Sequence, residues 1–210
     1  MAQFTILTGD IVDSSDLPAP ALNAAFEGLD AAAERISGWQ GAPARFTRNR
    51  GDGWQICLSP ARPGLREALT MRAALRSLDK TLDTRIAIAR GPATLPRDGD
   101  LNAATGPAFL QAGHLLDRLE DGTRDSPLMA HADGQATGAA VVLADALSRG
   151  WTPAQARAVL PMLAPDAPTH DEVARRLGIT RQGVRQALVA AGYPALSRAL
   201  ELLEQPEEAP

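Results

Sequence analysis

Residues 3 to 9, QFTILTG, are an apolar run too short for a helix, and they predict a short buried strand. From 20 to 37 the apolar residues Leu22, Ala25, Phe26, Leu29, Ala33 and Ile36 recur at spacings of three and four, which predicts an amphipathic helix started by Pro18 and Pro20. Two strand-like runs follow, ARFTRNR and GWQICLS, separated by Gly51-Asp52, a pair suited to a tight hairpin if the chain turns there. Pro63 opens a second helix to about residue 80 with Leu65, Leu69, Leu75 and Leu78 on its apolar side. TRIAIARG then alternates as a strand that Gly91-Pro92 ends. The order strand, helix, hairpin, helix, strand is the βαββαβ plan of a ferredoxin-like or palm domain, in which an antiparallel sheet is covered on one face by helices. A Gly-, Asp- and Pro-rich loop at 91 to 101, a helix at 106 to 120, a short segment at 128 to 130 and the helix ATGAAVVLADALSRG complete this unit.

Beyond residue 150 the pattern is helical throughout. The clearest motif is THDEVARRLG followed by ITRQGVRQALVAAG. Thr169 and Glu172 have the spacing of a capping box, Val173, Ala174 and Leu177 supply an apolar face, Gly178 permits a tight turn, and Ile179 and Val184 are expected to fall back on the core. This is the layout of a helix-turn-helix, whose second helix enters the major groove. That helix begins at Thr180 and carries Arg181, Gln182, Arg185 and Gln186, with no acid before Tyr193. Arg pairs with guanine and Gln with adenine in bidentate fashion, so the face has the chemistry to read base edges; Thr169, Arg176 and Thr180 are the expected phosphate contacts. The competing readings are a helical hairpin with a solvated face and a helix-turn-helix adapted to bind protein. The expected organisation is therefore α+β: a palm domain at 1 to 150 and a small all-α helix-turn-helix domain at 151 to 210.

Composition narrows the classes. The 210 residues are 45% hydrophobic and 22% charged, as in ordinary globular proteins, but only 4% aromatic, so the core rests on Ala, Leu, Val and Ile. A net charge of −4 argues against a protein coated in nucleic acid and confines any DNA contact to a local patch. The single Cys57 excludes an internal disulfide and a cysteine-rich zinc site. No apolar run approaches the roughly 20 residues that span a bilayer, and no membrane partner and a cytoplasmic location are expected.

Gly-Asp is a common turn and cap pair, so Asp10 and Asp52 taken singly read as structural. Their order tells more. TGDIVDSS, RGDGWQ and TRIAIARG, in succession on a palm-like plan, resemble the motifs of the class III nucleotidyl cyclases. The SatD family is closer still: it joins such a domain to a C-terminal helix-turn-helix, and GPAFLQAGHLL and WTPAQARAVLPML resemble its connecting segments. The resemblance implies that Asp10 and Asp52, with the Ile11 carbonyl, hold Mg²⁺ or Mn²⁺ against nucleotide phosphates, and that Arg85 contacts phosphate. Hard oxygen ligands of this kind suit Mg²⁺. Arg48 is placed either to reach a base or phosphate or to be a solvated strand residue. The catalytic Asn and Arg of active cyclases have no counterpart, since the matching helix offers Leu110 and His114, or Gln111 at best. No catalytic residue is therefore assigned. One reading is a DNA-binding regulator whose palm domain senses a nucleotide. As a single helix-turn-helix binds weakly, a homodimer reading two half-sites is expected. The rival reading is an enzyme, a cyclase or nucleotidyltransferase using the two aspartates.

Overall fold

A computed structural model describes residues 2–41, 43–49, 51–123 and 125–205 of the chain. The protein is mixed α+β, with a five-stranded sheet of order β2-β3-β1-β4-β5. The strands are β1 (Gln3–Ile11), β2 (Arg45–Arg48), β3 (Gly53–Leu58), β4 (Thr84–Pro92) and β5 (Met129–His131). β1 runs through the middle, antiparallel to both β3 and β4; β2 is antiparallel to β3, and β5 joins β4 in parallel. The helices are α1 (Ala19–Gln40), α2 (Leu65–Leu78), α3 (Pro107–Glu120), α4 (Gln135–Ser148), α5 (Pro153–Met162), α6 (His170–Leu177), α7 (Arg181–Ala190) and α8 (Tyr193–Glu204).

Two expectations about the sheet are corrected. It is mixed rather than purely antiparallel, because β5 adds a parallel edge, and helices cover both faces rather than one. The cause is visible in β1, where every residue after Gln3 is buried. Successive strand residues point to opposite faces, so a strand buried at every position after its first has cover on each side. Leu7, Ile11, Trp54, Ile56, Ile86 and Ile88 pack with α1 and α2. Phe4, Ile6, Cys57 and Ala89 pack with Ala108 and Ala112 of α3, and Ala87 with Leu115 and Leu119.

β1 also runs two residues further than expected, so Asp10 and Ile11 belong to the strand. Asp10 faces Gly53 on one side and Arg85 on the other. It is neither a turn nor a cap residue. The chain turns afterwards, at Asp13 with φ 51°, into a short 3-10 helix at Ser14–Asp16. The hairpin is longer than a two-residue turn: the Asn49 amide closes on the Gly53 carbonyl at 2.8 Å, and Gly51 supplies the left-handed residue with φ 74°.

α2 is not the amphipathic helix its leucines suggest. All residues from Leu65 through Leu75 are buried, including Arg66, Glu67 and Arg72, while Leu78 is 47% exposed. The helix lies between the sheet and the later helices, and its polar side chains are answered from far along the chain. Arg66 donates through Nε and Nη2 to the Glu204 carboxylate, both at 2.7 Å. Glu67 is faced by Arg62 at 3.7 Å, and its Oε1 accepts no hydrogen bond. Burial accordingly pushes its carboxyl up to about 7. The folded protein thus keeps a proton that the unfolded chain has already lost, so this group's contribution to stability falls as pH rises from about 4.5 through 7. Glu67→Gln is expected to remove that slope and to stabilise the protein at pH 8 by up to about 3 kcal/mol, read as the difference in urea unfolding between pH 5 and pH 8.

The largest buried cluster crosses residue 150 without a break, joining Leu69 and Leu75 to Val159, Val184 and Leu196. Trp151 is fully buried and donates from Nε1 to the Ala191 carbonyl at 2.8 Å. Among the described residues no helix is long and apolar enough to cross a membrane.

Candidate functional site

The chemistry suggested by the sequence falls at two places. The first is the edge of the sheet where β1 ends and β3 and β4 begin. Gly9 has no Cβ because there is no room for one: an added Cβ would lie 2.3 Å from the Arg85 carbonyl oxygen and 2.5 Å from the Trp54 indole. The buried Trp54 donates from Nε1 to Thr84 Oγ1 at 2.9 Å, and the Thr84 hydroxyl donates to the Asp10 carbonyl at 2.6 Å. This chain fixes the backbone of β1 at Asp10. The Asp10 side chain then meets its cross-strand neighbour, with Arg85 Nη1 donating to Oδ1 at 2.8 Å.

A third group joins them that the sequence did not point to. Glu120, at the end of α3, is hydrogen-bonded to the Asp10 carboxylate; that bond, with partial burial and the Asp10 charge, holds its carboxyl up at about 7. Glu120 and Asp10 thus form a carboxyl pair that Arg85 closes on the other side. Nothing in the helical spacing of α3 singles Glu120 out. Beside the trio opens a cavity of about 610 Å³ whose lining includes Asp13, Arg76, Asp83, Arg85 and Arg149.

Asp52 lies at the same edge but in a different bonding environment. The Ile11 amide donates to the Asp52 carbonyl at 3.2 Å, so the register sets Asp52 across from Ile11 rather than Asp10. The Ser14 hydroxyl donates to the Asp52 carboxylate. Asp10 on β1 and Asp52 in the turn just before β3 thus differ in their partners, one bonded to an arginine and an acid, the other to a serine. Among the described residues no three carboxylate, His or Cys side chains converge as a metal cluster. The donor set fits a cation held by one or two carboxylates and completed by phosphate and water, the usual manner for Mg²⁺. It does not fit a cage built by protein alone.

Arg48 does not join this edge. Its guanidinium stacks on the Phe26 ring of α1 at 3.8 Å and donates from Nη2 to the Gly51 carbonyl at 3.2 Å. It pairs with Trp54 in the sheet, and Trp54 faces α1 and α2, whereas Asp10 and Arg85 share the face covered by α3. His114, Gln111 and Leu110 are all exposed on the outer side of α3, opposite the buried Ala108, Ala112 and Leu115.

The second place is the α6–α7 pair. Thr169 and Glu172 complete a reciprocal capping box, and Gly178 ends α6 in the left-handed conformation, φ 66°. Thr180 caps α7 by accepting from the Gly183 amide at 3.0 Å. Val184 and Leu188 are buried, which turns Arg181, Gln182, Arg185 and Gln186 outward to solvent. Thr169, Arg176 and Thr180 are exposed on the same pair of helices. Arg181 is approached by Asp171 of α6 at 3.7 Å. Ile179 departs from expectation: it is 46% exposed rather than part of the core. The Ile179 amide closes on the Ala174 carbonyl at 3.1 Å, and its side chain lies over Gly183 on the outside of the turn.

Comparison of the chain with protein-family models and with curated proteins finds no match.

Proposed function

We propose that the protein is a DNA-binding transcriptional regulator in which α6 and α7 form a helix-turn-helix and a homodimer reads two half-sites. The observation that carries this reading is the outward face of α7. Four polar side chains, two Arg and two Gln, stand exposed on one rigid helix that is capped at its start and buried along its back. Bidentate donors held this way are what major-groove reading requires. In this reading residues 1–150 are a ferredoxin-like palm domain of the SatD and cyclase kind, residues 151–210 are the DNA-binding domain, and the protein works in the cytoplasm. The β2-β3-β1-β4 order with α1 and α2 as crossovers supports the palm assignment.

Selection of binding sites from random duplexes with the full chain, followed by fluorescence anisotropy, tests the proposal. Arg185→Ala is expected to cost roughly 1–3 kcal/mol and to relax sequence preference, and Arg181→Ala to cost less because Asp171 already engages that side chain. Arg176→Ala is expected to weaken all sequences alike and to flatten the salt dependence. Absence of any salt-dependent binding overturns the reading.

The palm domain is proposed to bind a nucleotide with Mg²⁺ or Mn²⁺ at Asp10, Asp52 and Arg85, which would alter the dimer and so its affinity for DNA. The pair of the buried Asp10 and the half-buried Arg85 beside the cavity supports binding. The solvent-facing Leu110, Gln111 and His114 give no support to cyclisation. Loss of the Glu120 proton adds negative charge beside Asp10, so Mn²⁺ affinity is expected to rise from pH 6 to pH 8 and to be lost in Asp10→Asn. Turnover of any NTP, abolished in Asp10→Asn and Asp52→Asn, would instead favour the enzyme.

A further inference from the structure

A second cavity, of about 630 Å³, opens toward the other end of the sheet. Trp39 at the end of α1, Arg62 in the loop before α2, Arg90 of β4, Pro165 after α5 and Leu203 near the end of α8 all contribute to its walls. Its volume is in the range of small-molecule sites. It is set apart from the Asp10 edge in two ways. Arg90 pairs in the sheet with Thr5, five residues along β1 from Asp10, or about 17 Å. Side chains alternate along a strand, so Thr5 and Arg90 take the face that Leu7 turns to α1 and α2, whereas Asp10 and Arg85 take the face of α3.

Hydrogen bonds fix the frame. Thr5 Oγ1 accepts from the Arg62 amide at 2.9 Å and donates to the Arg62 carbonyl, which ties the loop before α2 to the cross-strand neighbour of Arg90. The buried His131 accepts at Nδ1 from the Asp133 amide at 2.9 Å, so its Nε2 donates to the Pro63 carbonyl at 3.1 Å. Charge in this frame is one-sided. Among the described residues that line the cavity the one acid is Glu204, and both its oxygens already accept from Arg66. Arg62 and Arg90 are not answered in that way. The Arg62 guanidinium faces Glu67 at 3.7 Å, beyond hydrogen-bond range, and its Nε is buried with no acceptor among the described residues. The Arg90 guanidinium makes no hydrogen bond or ion pair among them. A buried donor without an acceptor is uncommon in a native protein, and this one belongs to a side chain that lines a cavity.

We propose that this cavity binds a small organic anion, whose carboxylate or phosphate is taken by Arg62 and Arg90 and whose apolar body lies against Trp39 and Leu203. Guanidinium groups take the oxygens of either anion in bidentate fashion, and an indole offers a flat apolar wall. Such a ligand joins the sheet to the end of α8 and to the chain that enters α6. The site depends neither on DNA binding nor on a metal at Asp10.

Calorimetric titration of the full chain tests this with four probes. Naphthoate and naphthyl phosphate carry both the charge and the body, inorganic phosphate lacks the body, and naphthalenemethanol lacks the charge. At least one of the first two is expected to bind tenfold or more tightly than either of the last two, and the tighter of the two aromatic anions identifies the anionic group. Arg90→Glu, at an exposed residue with no partner to lose, is expected to weaken that binding at least tenfold, and Arg62→Ala to do the same. Arg97→Glu, on the exposed loop after β4, is expected to leave it unchanged. No binding of either aromatic anion at millimolar concentration, equal binding of naphthalenemethanol, or full affinity in Arg90→Glu overturns the site. None of these readouts involves DNA or Mn²⁺, so failure of this site and failure of the DNA or metal reading are told apart.

Discussion

Replacing Arg72 by Met is expected to lower stability by about 3–5 kcal/mol, the largest effect of any single change considered, because it strands two buried aspartates. Arg72 has no solvent exposure. Its Nη1 donates to Asp145 Oδ1 at 2.6 Å and to Ser148 Oγ at 2.9 Å, and its Nη2 donates to the Thr84 carbonyl at 3.2 Å. Nε lies 2.9 Å from Asp83 Oδ1 but off the N–H direction, so that pairing is ionic rather than a formed hydrogen bond. The same acids are tied elsewhere: Asp83 Oδ1 accepts from the Thr84 amide and Asp145 Oδ2 from the Leu128 amide. One guanidinium thus joins α2, the start of β4, the approach to β5 and α4. Removing it leaves charge in a low-dielectric interior, whereas removing an acid along with it relieves part of that cost. Urea unfolding checks both statements: Arg72→Met loses about 3–5 kcal/mol, and the double variant Arg72→Met/Asp145→Leu recovers part of the loss. A single variant within 1 kcal/mol of wild type would show that the acids find other partners or protons. Since Thr84 holds the Asp10 carbonyl, Mn²⁺ binding should weaken in Arg72→Met even under conditions where the protein remains folded.

How much of this was legible in the sequence depended on where each residue's partner lies. α1 was legible because its signal is local: apolar spacing and two prolines define it. The α6–α7 pair was legible for the same reason, since Thr169 and Thr180 accept from amides three residues on and the Gly178 amide donates to the Ala174 carbonyl four residues back. α2 was misread because Arg66, Glu67 and Arg72 count as polar in any pattern, while the groups that receive Arg66 and Arg72 are Glu204 and Asp145, 138 and 73 positions away. Asp10 was placed outside its strand because aspartate is disfavoured in strands; Arg85, which satisfies it, lies 75 positions away and becomes its neighbour only when β1 and β4 pair. Arg48 could not be assigned because a one-residue difference in register decides which face a strand side chain takes. Glu120 gave no signal at all: its role comes from the end of α3 reaching the end of β1, a meeting set by tertiary packing. The low aromatic content told that the core rests on Ala, Leu, Val and Ile, but not that both sheet faces would be covered.

Gly9→Ala is expected to cost more than about 3 kcal/mol, beyond the ordinary range for an added methyl, because both obstacles are rigid. At most glycines of this chain a Cβ would meet nothing or a movable side chain. At Gly9 it would meet the Arg85 carbonyl at 2.3 Å and the Trp54 ring at 2.5 and 2.7 Å. The carbonyl belongs to the neighbouring strand and the ring is fully buried, anchored through Nε1 to Thr84. Neither can yield without disturbing the link from Trp54 through Thr84 to the Asp10 carbonyl. The loss should therefore appear together with a change in tryptophan emission and with weaker Mn²⁺ binding at Asp10, which a general loss of packing elsewhere would not produce. Trp54→Phe in the Gly9→Ala background separates the two obstacles. Phe lacks the indole atoms that lie over Gly9 but leaves the Arg85 carbonyl in place, so part of the stability should return while Mn²⁺ binding stays impaired. Full recovery of both would assign the requirement for glycine to the indole alone, and no recovery would assign it to the approach of β4 to β1.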